Sequence, residues 1–563
     1  MVQEKTTGPA PGASAPGAGP DVPPGGPAEH GRRALVGRIV CAVAGGLLLF
    51  LAFPPLGLWF LAPFGVALLV LAVRGTRARR ALWLGFLGGL AFLLPALRWV
   101  SPIGTDAWLG LVAMESLFYA AWAVCAALTS RLPLWPLWGA ALWVAMEWAR
   151  GTFPFGGFPW ARVAFSQGES PFTPYAALGG APLVSFAVVL CGGLVALAAV
   201  RIAASRVGTR SEGASAPLGP LGARRLALPV VLPLAGALAV PAAALAVPRP
   251  GDEGRSVTVG VIQGNVPGRG MNPLGDEPAV VLGNHTRMLH EMAQAVRQGA
   301  VRKPDLVVLP ENSTDIDPYR SDFAHQQIDA AVKDLGVPVL VGAVVGIGEN
   351  NRATRSLVWD PVTGPGAYYD KQKLVPFGEY TPLKELVLAL FERANLVGKQ
   401  SVPGTRDGDL RLGPVTVGAI NCYEVAFDDI VGGTARTGAS PLVVQTNNAT
   451  YALTNLPAQQ LAMSQLRAVE HNRAVITSAI TGISAYVTPQ GKIAWRTGEL
   501  VPAMNVLTVP VRTAQTLATR VGALPEWLLI AVGAGALAAA WRRRTRTSAP
   551  FAGRADEQQV GEA

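Results

Sequence analysis

The sequence predicts a multi-span α-helical membrane bundle with eight transmembrane helices and an α/β domain inserted before the last of them. Three observations predict it. Half of the 563 residues are hydrophobic and only 15% are charged, against about 25% in ordinary soluble domains. Apolar runs close to the roughly 20 residues that a spanning helix needs recur through the first 250 positions and once near the end. Between them lies a polar stretch in which short apolar strands alternate with amphipathic helices, the pattern of a layered α/β domain.

Residues 1–31 are rich in Pro, Gly and Ala and are expected to form a disordered tail. Seven spans follow at about 35–53, 56–73, 81–97, 107–128, 134–150, 182–202 and 226–247, and an eighth at 524–541. The chain thus divides into a seven-helix region (32–247), a catalytic-type domain (248–522), an eighth helix (523–544) and a tail (545–563). Arg32, Arg33 and Arg38 give the first run the look of a secretory leader. More apolar runs follow at once, so it reads as a retained anchor.

Orientation follows from the asymmetry of Lys and Arg between loops. Arg74, Arg77, Arg79 and Arg80, then Arg131, then Arg201 and Arg206, then Arg542, Arg543 and Arg544 fall on one side. The other side has little beyond Arg98, Arg150 and Arg162. Both termini are therefore expected in the cytoplasm, with 248–522 extracytoplasmic. These clusters also hold much of the excess behind the net charge of +10, and no aromatic-interleaved basic stripe points to nucleic acid.

Within the polar stretch, strands are predicted at 256–262, 305–309, 338–345, 367–369, 415–420, 442–445, 474–478 and 484–488. Helices are predicted at 280–296, 322–335, 428–437 and 458–471.

Three chemically capable residues stand just past predicted strands: Glu311, Lys371 and Cys422. Cys41, Cys125 and Cys191 lie in apolar runs, so Cys422 is the unpaired thiol of the polar stretch, with neither metal-ligand spacing nor a disulfide framework around it. A free thiol titrates near about 8.5 and becomes a nucleophile only with a base or a cation beside it. A carboxylate at Glu311 and a cation at Lys371 would supply both. Spacing alone also fits an ordinary α/β domain with a core cysteine.

The local sequences narrow the choice. LPEN around Glu311, YDKQKLVPFGEY around Lys371 and Glu379, and INCYE around Cys422 resemble, in that order, the nitrilase (carbon–nitrogen hydrolase) superfamily. Residues 143–167, 261–267 and 459–493 resemble bacterial apolipoprotein N-acyltransferases, and the Pro/Gly-rich, Arg-rich texture suits an actinobacterial member. The resemblance implies a nitrilase-like α-β-β-α sandwich. It implies Cys422 as nucleophile, Glu311 as general base and Lys371 as the oxyanion-stabilising cation. Glu379 would support the site, and Tyr423 and Glu424 would shape substrate access. No metal or cofactor is called for. An acyl chain from a phospholipid, usually phosphatidylethanolamine, would pass through a cysteine thioester to the N-terminal amine of a diacylated apolipoprotein, and a monomer suffices. Two alternatives share these residues: a membrane-tethered amidase, and a non-catalytic membrane partner of a polyprenol-phosphate mannosyltransferase.

The chain departs from that family at Asn448 and Thr450, at Met271 and Asn272, and at Arg355. Glu115 is expected to be a satisfied structural group, and Glu147, beside Arg150, to take part in an interhelical or local ion pair. His285, His290, His325 and His471 are expected at the surface or in the core. Residues 383–396 read equally as a bilayer-dipping arm or a core helix. The loop 156–160 reads as interfacial.

Overall fold

The computed structural model describes residues 27–211, 220–266, 268, 279–385, 389 and 398–548. Most of the predicted N-terminal tail, most of the 383–396 segment, Met271, Asn272 and the end of the C-terminal tail lie outside the described residues.

A helix occupies each predicted apolar segment: α1 (Pro27–Ala52), α2 (Leu61–Val73), α3 (Ala78–Ala96), α4 (Thr105–Thr129), α5 (Trp135–Thr152), α6 (Ala176–Ser211) and α7 (Pro220–Ala244). Among the described residues, four stretches have the length and hydropathy to cross a membrane: Gly31–Ala52, Thr105–Thr129, Thr173–Arg206 and Leu524–Thr545. The bounds differ from expectation in two informative places. α2 begins at Leu61 rather than residue 56, because the preceding residues turn, with the Gly57 N–H donating to the Phe53 carbonyl at 3.0 Å. α1 begins at Pro27, inside the predicted tail.

Aromatic rings knit the bundle. Tyr119 packs edge-on against Trp143 at 5.5 Å, and Trp122 meets the same indole at 4.8 Å. Of the two pairings left open for Glu147, the local one with Arg150 is not made. Arg150 reaches across to Glu115 at 2.7 Å, both side chains fully buried. Glu147 instead accepts from the Trp143 indole at 2.9 Å and the Val163 N–H at 2.8 Å. An unpaired charge among apolar helices is costly, so each carboxylate finds a donor.

The inserted domain has two sheets. The first runs β13 (Ala503–Pro510), β1 (Ser256–Gln263), β2 (Leu306–Val308), β3 (Val339–Ile347), β4 (Asn351–Asp360) and β5 (Gly364–Asp370), with β6 (Gln400–Ser401) beside β4. The second runs β12 (Ile493–Arg496), β11 (Ala485–Val487), β10 (Val475–Ala479), β9 (Leu442–Thr446), β8 (Val415–Asn421) and β7 (Asp409–Leu412). The centre of each is parallel: β1, β2 and β3 in one, β8, β9 and β10 in the other. Val259, Val308 and Leu340 from the first sheet share a buried core with Val417, Val443 and Ile476 from the second.

Helices α8 (Val280–Arg297) and α9 (Asp322–Leu335) cover the first sheet. α9 shows why the sequence stops and starts there. Ser321 accepts the Ala324 N–H at its start, and Gly336, at φ 67°, closes its end. Helices α10 (Asp428–Arg436) and α11 (Leu456–His471) cover the second sheet. The order of layers is helix, sheet, sheet, helix, as the resemblance implied. α11 is buried on all sides, because the helical bundle packs against its far face. A short helix α12 (Leu517–Val521) leads to the last helix, α13 (Leu524–Ser548).

Candidate active site

Glu311 stands where β2 ends, at the carboxyl edge of the parallel strands, where reacting groups of α/β folds converge. Its loop lies hard against β3. A Cβ at Gly342 would stand 2.0 Å from the Pro310 carbonyl oxygen, so only glycine fits there. Ser313 fastens the same turn, donating to the Gly342 carbonyl at 3.0 Å and accepting its N–H at 3.1 Å.

Lys371 follows β5 and is 1% exposed. Its ammonium donates to Glu311 Oε1 at 2.9 Å and to Glu379 Oε1 at 2.8 Å. The second oxygen of each carboxylate is held by backbone: Glu311 Oε2 by the Asn447 N–H at 2.9 Å, Glu379 Oε2 by the Val375 N–H at 2.7 Å. The result is a buried Glu–Lys–Glu chain with fixed orientation.

Cys422 follows β8 and opens a 3-10 turn, Cys422–Ala426. Its φ of 49° is left-handed, a region that a non-glycine residue occupies only when its surroundings hold it. The holding groups are visible. Asn421 and Glu424 form a capping box around the turn. The fully buried Glu424 accepts from Tyr369 Oη at 2.8 Å, from the Gln372 N–H at 2.6 Å and from the Asn421 N–H at 2.7 Å. Glu424 thereby ties the Cys422 turn to the strand that delivers Lys371.

Tyr423 faces the bundle. Its hydroxyl donates to the Gly157 carbonyl at 3.0 Å, and its ring stacks on Phe158 and on Trp160, each at 6.2 Å. Trp160 in turn donates to Gln459 Oε1 at 2.8 Å, and Gln459 donates to the Ala96 carbonyl at 3.0 Å. The predicted interfacial loop is therefore a seam between bundle and domain, directly under the cysteine turn. Phe155 and Phe377 extend it outward, with rings 6.3 Å apart and exposures of 44% and 47%.

The electrostatics explain the resting state. Burial, then the nearby Glu311 carboxylate, pushes the Cys422 thiol up to about 12, with Lys371 opposing. Burial works against the Lys371 charge, but Glu311, Glu379 and Cys422 outweigh it and raise Lys371 well above its ordinary value. Burial raises Glu311 against the opposing pull of Lys371. At neutral pH the site thus holds a thiol beside a fixed ammonium and a carboxylate of raised basicity. A thiolate forms there only with concerted removal of its proton.

Two participants were not singled out from sequence. The Thr446 hydroxyl lies 3.2 Å from Cys422 Sγ, and the Asn447 N–H orients Glu311. Thr446 ends β9 and Asn447 follows it; β9 is the strand beside β8, and that adjacency is the signal that would have found them. Among the described residues, the stretch 261–267 that carries part of the resemblance makes no hydrogen bond to Glu311, Lys371 or Cys422. Gln263 instead seals the two sheets together, accepting from Ser484 Oγ at 2.7 Å and donating to the Val501 carbonyl at 2.9 Å. His285 and His471 are buried and His290 pairs with Asp334 at 2.6 Å.

Comparison with known proteins agrees with this architecture. The family model described as apolipoprotein N-acyltransferase N-terminal domain matches residues 45–194, and the carbon–nitrogen hydrolase model matches 258–519. An apolipoprotein N-acyltransferase of Mycolicibacterium smegmatis is 39% identical, covering 88% of this chain and 84% of that protein. One of Azotobacter vinelandii is 30% identical, covering 90% and 96%. An amidase from Nesterenkonia sp. is similar among solved structures, with 19% identity, a TM-score of 0.33, and coverage of 47% and 93%. The chain belongs to the apolipoprotein N-acyltransferase family, membrane enzymes that carry a carbon–nitrogen hydrolase domain.

Proposed function

We propose that Cys422 is the nucleophile of this chain, Glu311 its general base and Lys371 the cation that stabilises the oxyanion. The chain is an acyltransferase, and its activity is lipoprotein N-acylation. In the first half-reaction Glu311 takes the thiol proton as Sγ attacks the ester carbonyl of a phospholipid, phosphatidylethanolamine being the expected donor. Lys371 stabilises the negative oxygen that develops. The C–O bond breaks, the lysolipid oxygen recovers the proton from Glu311, and the acyl chain remains as a thioester. In the second, the α-amine of a diacylglyceryl-cysteine attacks the thioester, gives up a proton to Glu311, and Cys422 leaves as thiol. Glu379 holds Lys371, and Tyr423 and Glu424 hold the turn around the nucleophile.

The observation that carries this reading is the seam beneath the cysteine. Tyr423, next to Cys422, is bonded to Gly157 of the bundle loop, and exposed Phe155 and Phe377 lie beside it. A lipid-anchored substrate needs such a junction, whereas a small soluble amide does not. The reading includes eight spans, both termini in the cytoplasm and an extracytoplasmic catalytic domain, supported by the Arg clusters at the bundle end away from that domain. One copy of the chain holds every residue the reaction uses, which supports a monomer. The mannosyltransferase partnership adds nothing the reaction requires.

The test is mass spectrometry of phosphatidylethanolamine vesicles holding the protein and a diacylated lipopeptide. Wild type adds one acyl mass to the lipopeptide N-terminus and Cys422→Ala does not. A folded wild type that leaves the lipopeptide untouched but hydrolyses small amides overturns the reading.

A further inference from the structure

At the bundle end opposite the catalytic domain, a cavity of about 840 Å³ opens between the α4–α5 turn, the end of α2 and residues 190–201 of α6. That it is the opposite end follows from α2. The chain just before its start lies by the catalytic side, where the Trp59 carbonyl accepts from Gln167, and Arg74 follows its last residue. The cavity has two textures. Leu190, Leu194 and Leu197 of α6 make an apolar wall. Arg74, Arg131 and Arg201 supply three positive charges, and no Asp or Glu is among the lining residues.

The cations are not otherwise engaged by carboxylates among the described residues. Arg74 lies over the Trp135 ring at 5.4 Å, and its buried Nε has no hydrogen-bond partner. Arg131 and Arg201 are exposed at the rim. A buried guanidinium donor left unmatched beside two further cations is an incomplete site. Planar guanidinium groups match phosphate oxygens in bidentate fashion. The volume lies in the range of pockets that enclose a small-molecule ligand, roughly 300–1,000 Å³. Its leucine wall on a spanning helix suits hydrocarbon rather than water.

We propose that this cavity binds one anionic phospholipid of the leaflet opposite the catalytic domain. The phosphate sits among Arg74, Arg131 and Arg201, and the acyl chains run along Leu190, Leu194 and Leu197. Basic pockets between spanning helices hold anionic head groups by this combination. The inference rests on the membrane-spanning reading and is separate from the acyl-donor site at Cys422.

The test uses the full chain in nanodiscs of equimolar phosphatidylglycerol and phosphatidylcholine, followed by native mass spectrometry of the released protein. Wild type is expected to retain one phosphatidylglycerol at least tenfold over phosphatidylcholine. Arg131→Gln/Arg201→Gln should lower that retention about tenfold. Arg77→Gln/Arg79→Gln, which removes charge at the same end but outside the cavity, should leave it unchanged. Acyl transfer to a lipopeptide by each variant certifies its fold. Equal retention of the two lipids by wild type, or equal loss in both double variants, overturns the proposal. A chain that alkaline carbonate strips from membranes would overturn the membrane-spanning reading and this inference with it.

Discussion

Two clusters of buried charge lie near each other, and only one is built for chemistry. At the seam, Asp428 accepts from Arg162 at 2.7 Å and from Arg467 at 2.7 Å, and Arg467 also pairs with Glu470 at 2.5 Å. Glu147 and Glu526 stand 3.6 Å from the same Arg162. Every charge meets an opposite one, and the cluster clamps α10 and α11 of the domain to the bundle. Burial alone would raise Asp428, but Arg162 and Arg467 outweigh it and hold its carboxyl well below the usual carboxylate range. At the active site the charges also pair, but the chain Glu379–Lys371–Glu311 stands beside a thiol that is neutral at rest. Burial and ion pairing are common to both places. The difference is Cys422, the proposed nucleophile, whose charged form the site has yet to make, and in this account that difference separates the proposed active site from a clamp.

The comparison can be broken by substitution. Cys422→Ala should give the largest effect, a loss of about 10⁴-fold or more in acyl transfer, since no other thiol stands at the site. Its melting temperature should stay near wild type. Glu311→Gln should lower acyl transfer by about 10²–10⁴-fold, the usual worth of a general base. Asp428→Asn should act oppositely. It leaves Arg162 and Arg467 without their shared carboxylate, though Glu470 and Glu526 remain beside them, and should destabilise the fold by about 1–3 kcal/mol, while molecules that remain folded keep the wild-type pH profile. Thr446→Val removes a hydrogen bond to Sγ worth about 1 kcal/mol and should slow thioester formation about fivefold, read by single-turnover acylation.

The pH dependence sharpens the same contrast. The proposed mechanism requires Glu311 as carboxylate, and its folded value is raised above the ordinary 4.5. The ascending limb of thioester formation should therefore lie above that value. With Cys422 at about 12 and Lys371 above 10.5, no inflection should appear near the ordinary thiol value. Asp428 has the opposite sign. Its stabilisation is complete above the ordinary value of 3.8 and fades only as pH falls toward its much lower folded value. Mild acid should thus switch off acylation while leaving the pairs of Asp428 with Arg162 and Arg467 intact, which rate and melting temperature, measured together on wild type and Asp428→Asn, would check.

Legibility in the sequence followed how far apart the partners lie. α9, with its own cap and closing glycine, was read to the residue, and β1 and β8 stood out because their burial is continuous. β4 was missed because its buried positions include Thr354 and Ser356, which break the apolar pattern. β13 was missed because most of it is only half-buried. Glu311, Lys371 and Cys422 were legible since each follows a recognisable strand within a recognisable motif. Glu115 with Arg150, 35 positions apart, and Arg162 with Asp428, 266 apart, were not. No local pattern encodes a pairing made only by packing, so the sequence left open whether the ion pair of Glu147 is local or not, and its partner is Arg162 rather than nearby Arg150.

The most direct measurement is the intact mass of the full chain after incubation in phosphatidylethanolamine vesicles without any acceptor. The account predicts a gain of one acyl chain on Cys422, released by hydroxylamine, passed to a diacylated lipopeptide on its addition, and absent from Cys422→Ala. An acyl group on another residue, or undiminished transfer by Cys422→Ala, would contradict it.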